Sequence, residues 1–272
     1  MPPPGPRTLA GRPRPPRPSA PRAGVRPPVA RPLAAFASDL DRTLVRPGGG
    51  VTRAARAALR EARALGLAAL LVSGREHAEL RRFARRLGPV EGIVAENGAV
   101  VEAPLGSAPV LVGRSIAAAV RRRLSGRSWS GIRRGRVVVS VPIRERRRLA
   151  TSLRGLPVRL VANVDRLMVL PIGVDKASGT RWALRRLGLG RARYAAIGDA
   201  ENDLDLLGSA DLSGAVRNAE EAVRSSVGYS CRRSYSAGVL EFVRGPLAAR
   251  CHPDHPPFGT SDGHPGPGRA PR

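Results

Sequence analysis

Three short apolar runs constrain this chain more than any other feature. They are "LAAFASD" (33–39), "LAALLVSG" (67–74) and "EGIVAENG" (91–98), and each stops at polar residues. None alternates apolar with polar, so each reads as a strand covered on both faces. The stretches between them are long enough for a helix with short connections, and too long for a hairpin. Strands joined in this way run parallel, through crossovers of one hand. The expected fold class is therefore α/β, a doubly wound Rossmann-like parallel sheet.

The connecting segments carry helix signals. Residues 52–65 open on Thr52, a good N-cap, and Gly66 follows their end. Leu80, Phe83, Ala84 and Leu87 share one helical face, and Gly88-Pro89 ends that helix. The rhythm changes at 99. "AVVEA" and "APVLVG" read as a hairpin, 114–125 as a helix, "GRVVVSVP" as a strand, 144–153 as a helix and "DRLMVLP" as a strand. The first pattern resumes with a helix at 176–187, a strand at 193–199, a helix near 201–207 and a last helix near 237–244. The expected organisation is a core of 33–98 and 171–248, interrupted by a small α/β cap at 99–170.

Both ends differ in composition. Residues 1–32 hold twelve prolines and no apolar periodicity, and 249–272 are similarly rich in Pro, Gly and His; both are expected to be disordered. His252, His255 and His264 in the second tail read as flexible bystanders. Lys and Arg number 47 against 21 Asp and Glu, a formal net charge of +26. Fifteen arginines fall in 103–170, opposed by Glu145 and Asp165 alone. Such a balance favours anionic partners: phosphorylated small molecules, or nucleic acid held non-specifically by the basic N-terminal tail. Aromatics make up only 3%, too few for base-stacking platforms, and no helix-turn-helix, zinc-finger or RNP motif occurs. Two cysteines make no disulfide framework. No apolar run approaches membrane-spanning length, so a cytoplasmic protein without a membrane partner is expected.

Four constellations carry chemistry. "SDLDRTL" (38–44) puts Asp39 and Asp41 just past the first strand, where open α/β sheets bind ligands; one carboxylate can attack and the other can move protons. A solvated turn is the structural alternative. "VSGR" (72–75) offers the Ser73 hydroxyl and the amides around Gly74 to an anion, or a simple helix cap. Lys176 is the single lysine of the chain and opens a helix, where the macrodipole disfavours a cation. A compact ammonium facing a carboxylate and a phosphoryl group would explain it; a surface lysine is the alternative. "IGDAENDLDLL" (197–207) gathers Asp199, Asn202 and Asp203 at a strand end, a hard-oxygen set suited to Mg²⁺ or an acidic helix start.

Taken in order, these four resemble the haloacid dehalogenase (HAD) superfamily, and within it the Cof-type phosphatases, whose cap lies between the second and third motifs (subclass IIB). "VAENGAVV" (94–101) looks like that group's entry into the cap. The resemblance covers about 34–245. It implies a phosphoric monoester hydrolase in which Asp39 is the nucleophile and Asp41 the general acid and base. Thr43, Ser73, Gly74 and Asn202 would hold the phosphoryl group, and Lys176 would neutralise its charge. Asp39, Asp41 (through its carbonyl), Asp199 and Asp203 would form the Mg²⁺ site and its support. The short cap suits a small phosphorylated metabolite, phosphoglycolate or a sugar phosphate. A phosphosugar mutase and a basic nucleic-acid-binding protein on the same scaffold are the competing readings. One departure stands out: the family's first motif usually reads DxDGT, and here Arg42 replaces the glycine.

Overall fold

The computed structural model describes residues 32–126, 128–163 and 165–251. The chain order is β1 (Leu33–Asp39), α1 (Arg53–Ala64), β2 (Ala68–Val72), α2 (His77–Leu87), β3 (Gly92–Ala95), β4 (Val100–Glu102) and β5 (Val110–Leu111). Then come α3 (Arg114–Leu124), β6 (Arg133–Arg134), β7 (Val139–Pro142), α4 (Arg146–Ser152), β8 (Val158–Asn163) and β9 (Arg166–Pro171). The chain continues with α5 (Lys176–Arg186), β10 (Arg193–Gly198), α6 (Leu204–Gly208), β11 (Leu212–Ala215), α7 (Glu221–Arg224), β12 (Tyr229–Ser230) and α8 (Tyr235–Phe242). The expected terminal tails lie outside the described residues, apart from Pro32 and 249–251.

The large sheet runs β12-β11-β10-β1-β2-β3-β4-β5. Its strands are parallel from β12 to β3, and β4 runs antiparallel to both of its neighbours, β3 and β5. The doubly wound expectation therefore holds, with an antiparallel edge added. From β1 the chain steps one way through β2 and β3, and returns to β10 and β11 on the other side. Crossovers of a single hand then put their helices on opposite faces. Accordingly α1 packs against α2 and α8, whereas α5 packs against α6.

Local sequence explains the elements. In α1, Ala55, Ala58, Leu59 and Ala62 form the buried stripe, and Thr52 Oγ1 accepts the Ala55 N–H at 3.1 Å. The parallel strands are built from small residues. Ala35, Ala37, Ala69, Ala195 and Ala196 are fully buried, which lets helices approach closely, and Phe36 stacks on Phe242 with centroids 6.2 Å apart.

The second sheet, β6-β7-β9-β8, is antiparallel throughout. Alternation along β9 divides its contacts. Leu167 and Val169 join Val120, Leu124, Trp129 and Leu149 under α3 and α4, while Met168 and Leu170 join the main core. Two expectations need correction here. The hairpin at 100–111 hydrogen-bonds to β3, because the tight turn at 96–98 sends the chain straight back along the large sheet. The strand read at "GRVVVSVP" begins only at Val139, because residues 136–138 give their amides to Glu96. β6 and β8 lie in segments where the sequence reading places no strand.

Candidate active site

The carboxyl ends of β1, β2 and β10 meet where the strand order reverses, the place open α/β sheets use for ligands. β1 ends at Asp39, β2 stops one residue before Ser73, and β10 stops one residue before Asp199. α5 delivers Lys176 to the same point. Asp175 caps that helix, accepting the Ser178 N–H at 2.7 Å while Ser178 Oγ accepts the Asp175 N–H at 2.9 Å. Gly98 lets α5 sit this deep. Its φ is +99°, and a Cβ there would lie 1.8 Å from the Asp175 carbonyl oxygen.

Lys176 is the hub. Its Nζ donates to Asp39 Oδ1 at 2.8 Å and to Asp203 Oδ1 at 2.5 Å, with 2% of the side chain exposed. The surface alternative for this lysine is thereby excluded. Burial works against the ammonium, but Asp203 and Asp39 outweigh it and its pKa is raised. Burial, then Asp203, lifts Asp39 well above the carboxylate range even though Lys176 pulls it down. Asp199 is pushed up to about 7 by burial and by Asp203, against the opposing pull of Thr43 and Arg42.

The loop after β10 is held from within. Asp203 Oδ2 accepts the amides of Asp199 (3.0 Å) and Ala200 (3.1 Å), so both oxygens of Asp203 are engaged. Gly198 leaves room for this, since a Cβ there would lie 2.7 Å from the Cβ and Cγ of Asp203. Thr43 Oγ1 donates to Asp199 Oδ1 at 2.9 Å. Thr43 thus holds a neighbouring carboxylate, although the resemblance assigned it to the phosphoryl group.

Ser73 is buried and donates to Asp41 Oδ2 at 3.3 Å while accepting the Arg75 amide at 3.2 Å. It caps no helix: α2 begins at His77, and its flanking Glu76 makes no side-chain cap. Arg75 escaped the sequence reading although it ends the quoted "VSGR". Its guanidinium grips Asp41, with Nε 2.8 Å from Oδ2 and Nη2 2.6 Å from Oδ1, and also pairs with Glu79. Asp41 itself is half-exposed and faces the cleft.

A cleft of about 280 Å³ brings Asp39, Asp41, Ser73, Lys176, Asp199 and Asn202 together. Gly74 lines it as well, so the predicted residues converge except Thr43 and Asp203, which stand behind Asp199. A neighbouring cavity of about 630 Å³ shares Asp41, Arg42 and Gly74 and extends to Arg133 and Arg166 of the small sheet. The small sheet is clasped over this region. Glu96, itself at φ +52°, accepts the amides of Arg136, Val137 and Val138 at 2.8, 2.9 and 2.8 Å. Arg159 reaches Asp205 at 3.2 Å and the Val174 carbonyl at 3.1 Å. Asn97 adopts the left-handed conformation that asparagine tolerates (φ +53°), within the tight turn at 96–98.

The donor set fits a hard divalent cation. One carboxylate oxygen from each of Asp39, Asp199 and Asp203 lies within 4.8 Å of the others. Asp199 Oδ2 is buried without a hydrogen bond, and its charged neighbour is Arg42 Nε at 3.4 Å, so this oxygen is the one a metal ion would take.

Known proteins resemble this chain in sequence and in fold. Residues 36–111 and 162–243 match the haloacid dehalogenase-like hydrolases. A phosphoglycolate phosphatase of Archaeoglobus fulgidus is 26% identical over 218 residues, covering 77% of this chain and 95% of its own. One from Metallosphaera sedula is 30% identical over 213 residues, covering 76% and 95%. Among solved structures, a haloacid dehalogenase-like hydrolase from Bacteroides thetaiotaomicron superposes with TM-score 0.63 at 19% identity, covering 78% of this chain and 98% of its own. A Thermoplasma acidophilum protein superposes with TM-score 0.65 at 17% identity, covering 78% and 96%. With matched sequence spanning more than half its length and the motif residues gathered at the strand ends, the chain belongs to the haloacid dehalogenase-like hydrolase family.

Proposed function

We propose that this hydrolase cleaves the monoester of a small phosphorylated metabolite through an aspartyl-phosphate on Asp39, with Mg²⁺ as cofactor. The observation that carries the reading is the buried Lys176 bridge to Asp39 and Asp203. A phosphate monoester is dianionic, and a carboxylate reaches its phosphorus only where positive charge offsets the repulsion. Lys176 supplies one such charge at the nucleophile. Mg²⁺, held by Asp39, the Asp41 carbonyl and Asp199 with Asp203 behind them, would add Lewis-acid charge at the phosphoryl oxygens.

In the first step an Asp39 carboxylate oxygen bonds to phosphorus and the ester P–O bond breaks. Asp41, which must carry a proton and so loosen its ion pair with Arg75 for this step, gives that proton to the departing alkoxide, which leaves as the alcohol. In the second step Asp41 takes a proton from water, the water oxygen bonds to phosphorus, and the Asp39–phosphorus bond breaks to release inorganic phosphate. Ser73, the Gly74 amide and Asn202 hold phosphoryl oxygens, and Thr43 keeps Asp199 in place. Arg75 sets the direction of Asp41, and the small sheet with its helices acts as a cap over the leaving group. Phosphoglycolate is the first substrate to test, because the relatives named above are phosphoglycolate phosphatases; a sugar phosphate is the second.

The test is phosphate release across a panel of metabolite monoesters and an aryl phosphate, with and without Mg²⁺. Mg²⁺-dependent release is expected, and Asp39→Asn should abolish it without unfolding the protein. No release from any monoester would sink the proposal, and wild-type turnover by Asp39→Asn would remove Asp39 from its role.

A further inference from the structure

Arg42 stands where the resemblance leads one to expect glycine, and the structure shows what that costs and where the side chain goes. Its φ is +64°, in the left-handed region that a long side chain adopts only when the surroundings compel it. They do so from both sides. The Arg42 amide donates to the Val45 carbonyl at 2.7 Å, and its own carbonyl accepts Asn218 Nδ2 at 2.7 Å. Asn218 is fixed in turn, because its Oδ1 accepts the Tyr235 amide at 2.8 Å. The turn therefore keeps a glycine-like conformation while carrying a guanidinium.

That guanidinium sits between the Asn218 carbonyl, to which Nη2 donates at 3.5 Å, and the carboxylate cluster. Arg42 Nε lies 3.4 Å from Asp199 Oδ2, the buried oxygen that has no hydrogen bond. Asp199 Oδ1 is already taken by Thr43, so Oδ2 is the oxygen Asp199 has left for a cation. Arg42 is 40% exposed and lines the same cleft as Lys176 and Asn202, so it has room to withdraw.

We infer that Arg42 is a built-in counter-ion of Asp199 that a divalent cation must displace, so that this chain binds Mg²⁺ more weakly than it would with glycine at 42. The inference rests on the metal reading above and concerns only the strength of the site. Guanidinium and cation compete for one oxygen, and like charges so close repel even after the side chain swings aside. Solvent screens the exposed arm, which limits the effect to roughly fivefold.

The experiment is Mg²⁺ titration of the protein without substrate, read by calorimetry and by shift of the thermal midpoint. Arg42→Gly and Arg42→Asn remove the charge and both tolerate φ > 0. Arg42→Lys keeps the charge, and Asp199→Asn removes the contested oxygen. About fivefold tighter Mg²⁺ binding by the Gly and Asn variants, but not by the Lys variant, is the expected result. Equal affinities for wild type, Gly and Asn would overturn the inference while leaving the metal site standing. A wild type that binds no Mg²⁺ more tightly than Asp199→Asn does would overturn both.

Discussion

Removing the ammonium of Lys176 while keeping the shape of its side chain gives the sharpest stability test of this site. Lys176→Met leaves Asp39 and Asp203 facing each other, their side chains at most 4% exposed, with no cation between them. Breaking a buried ion pair from one side costs about 3 to 5 kcal/mol, because the remaining charge stays buried and uncompensated. Here two carboxylates lose one partner, so the upper end of that range applies at pH 8 without divalent ions. The pH dependence has a definite sign. Asp39 has its pKa raised in the folded protein, and losing Lys176 raises it further. A carboxylate that holds its proton more tightly when folded favours folding below its ordinary pKa, and that benefit fades as pH rises through the folded value. The deficit of Lys176→Met relative to wild type should therefore shrink as pH falls from 8 to 5. Urea denaturation at several pH values measures it. A pH-independent loss under 1 kcal/mol would refute the view that this lysine works by neutralising buried carboxylates. Lys176→Arg keeps the charge but replaces a point donor with a larger fork. It should fold and yet lose about 100-fold in kcat, the scale of a 1 Å misplacement.

Asp199, pushed up to about 7, must release its proton to take a cation, so Mg²⁺ affinity should drop roughly 30-fold between pH 8 and pH 5.5; a pH-independent thermal shift with Mg²⁺ would count against this. Glu96→Gln sets a side-chain NH₂ against backbone amides of 136–138. It should destabilise by about 2 to 3 kcal/mol in urea and open that segment to protease; an unchanged midpoint would rule out the clasp. Gly198→Ala pushes Asp203 away from Lys176 and should cut turnover about 100-fold, which steady-state kinetics would show directly.

The parallel sheet could be read from the chain because its signals are local. An unbroken apolar run ending at Asp39 or before Ser73 is a strand covered on both faces, whatever surrounds it. The Thr52 cap and the Ala55–Ala62 stripe mark α1 in the same local way. Lys176 was legible through its oddity, as the chain's single lysine placed where the helix dipole repels it. What could not be read depends on residues far apart in sequence. Nothing near Glu96 says that its carboxylate receives amides forty residues later, and those amides decide where β7 can begin. The short hairpin at 100–111 looks the same whether it extends the large sheet or opens the cap; only pairing with β3 decides. Arg75 reads as one more arginine in an arginine-rich chain until the fold lays it on Asp41. Residue types and spacings in the sequence determined which groups could do chemistry. Tertiary structure alone decided their contacts: that Lys176 joins Asp39 to Asp203, and that Arg42 reaches the oxygen Asp199 has left. Charges act through space over a few ångströms, and only the folded chain sets those distances.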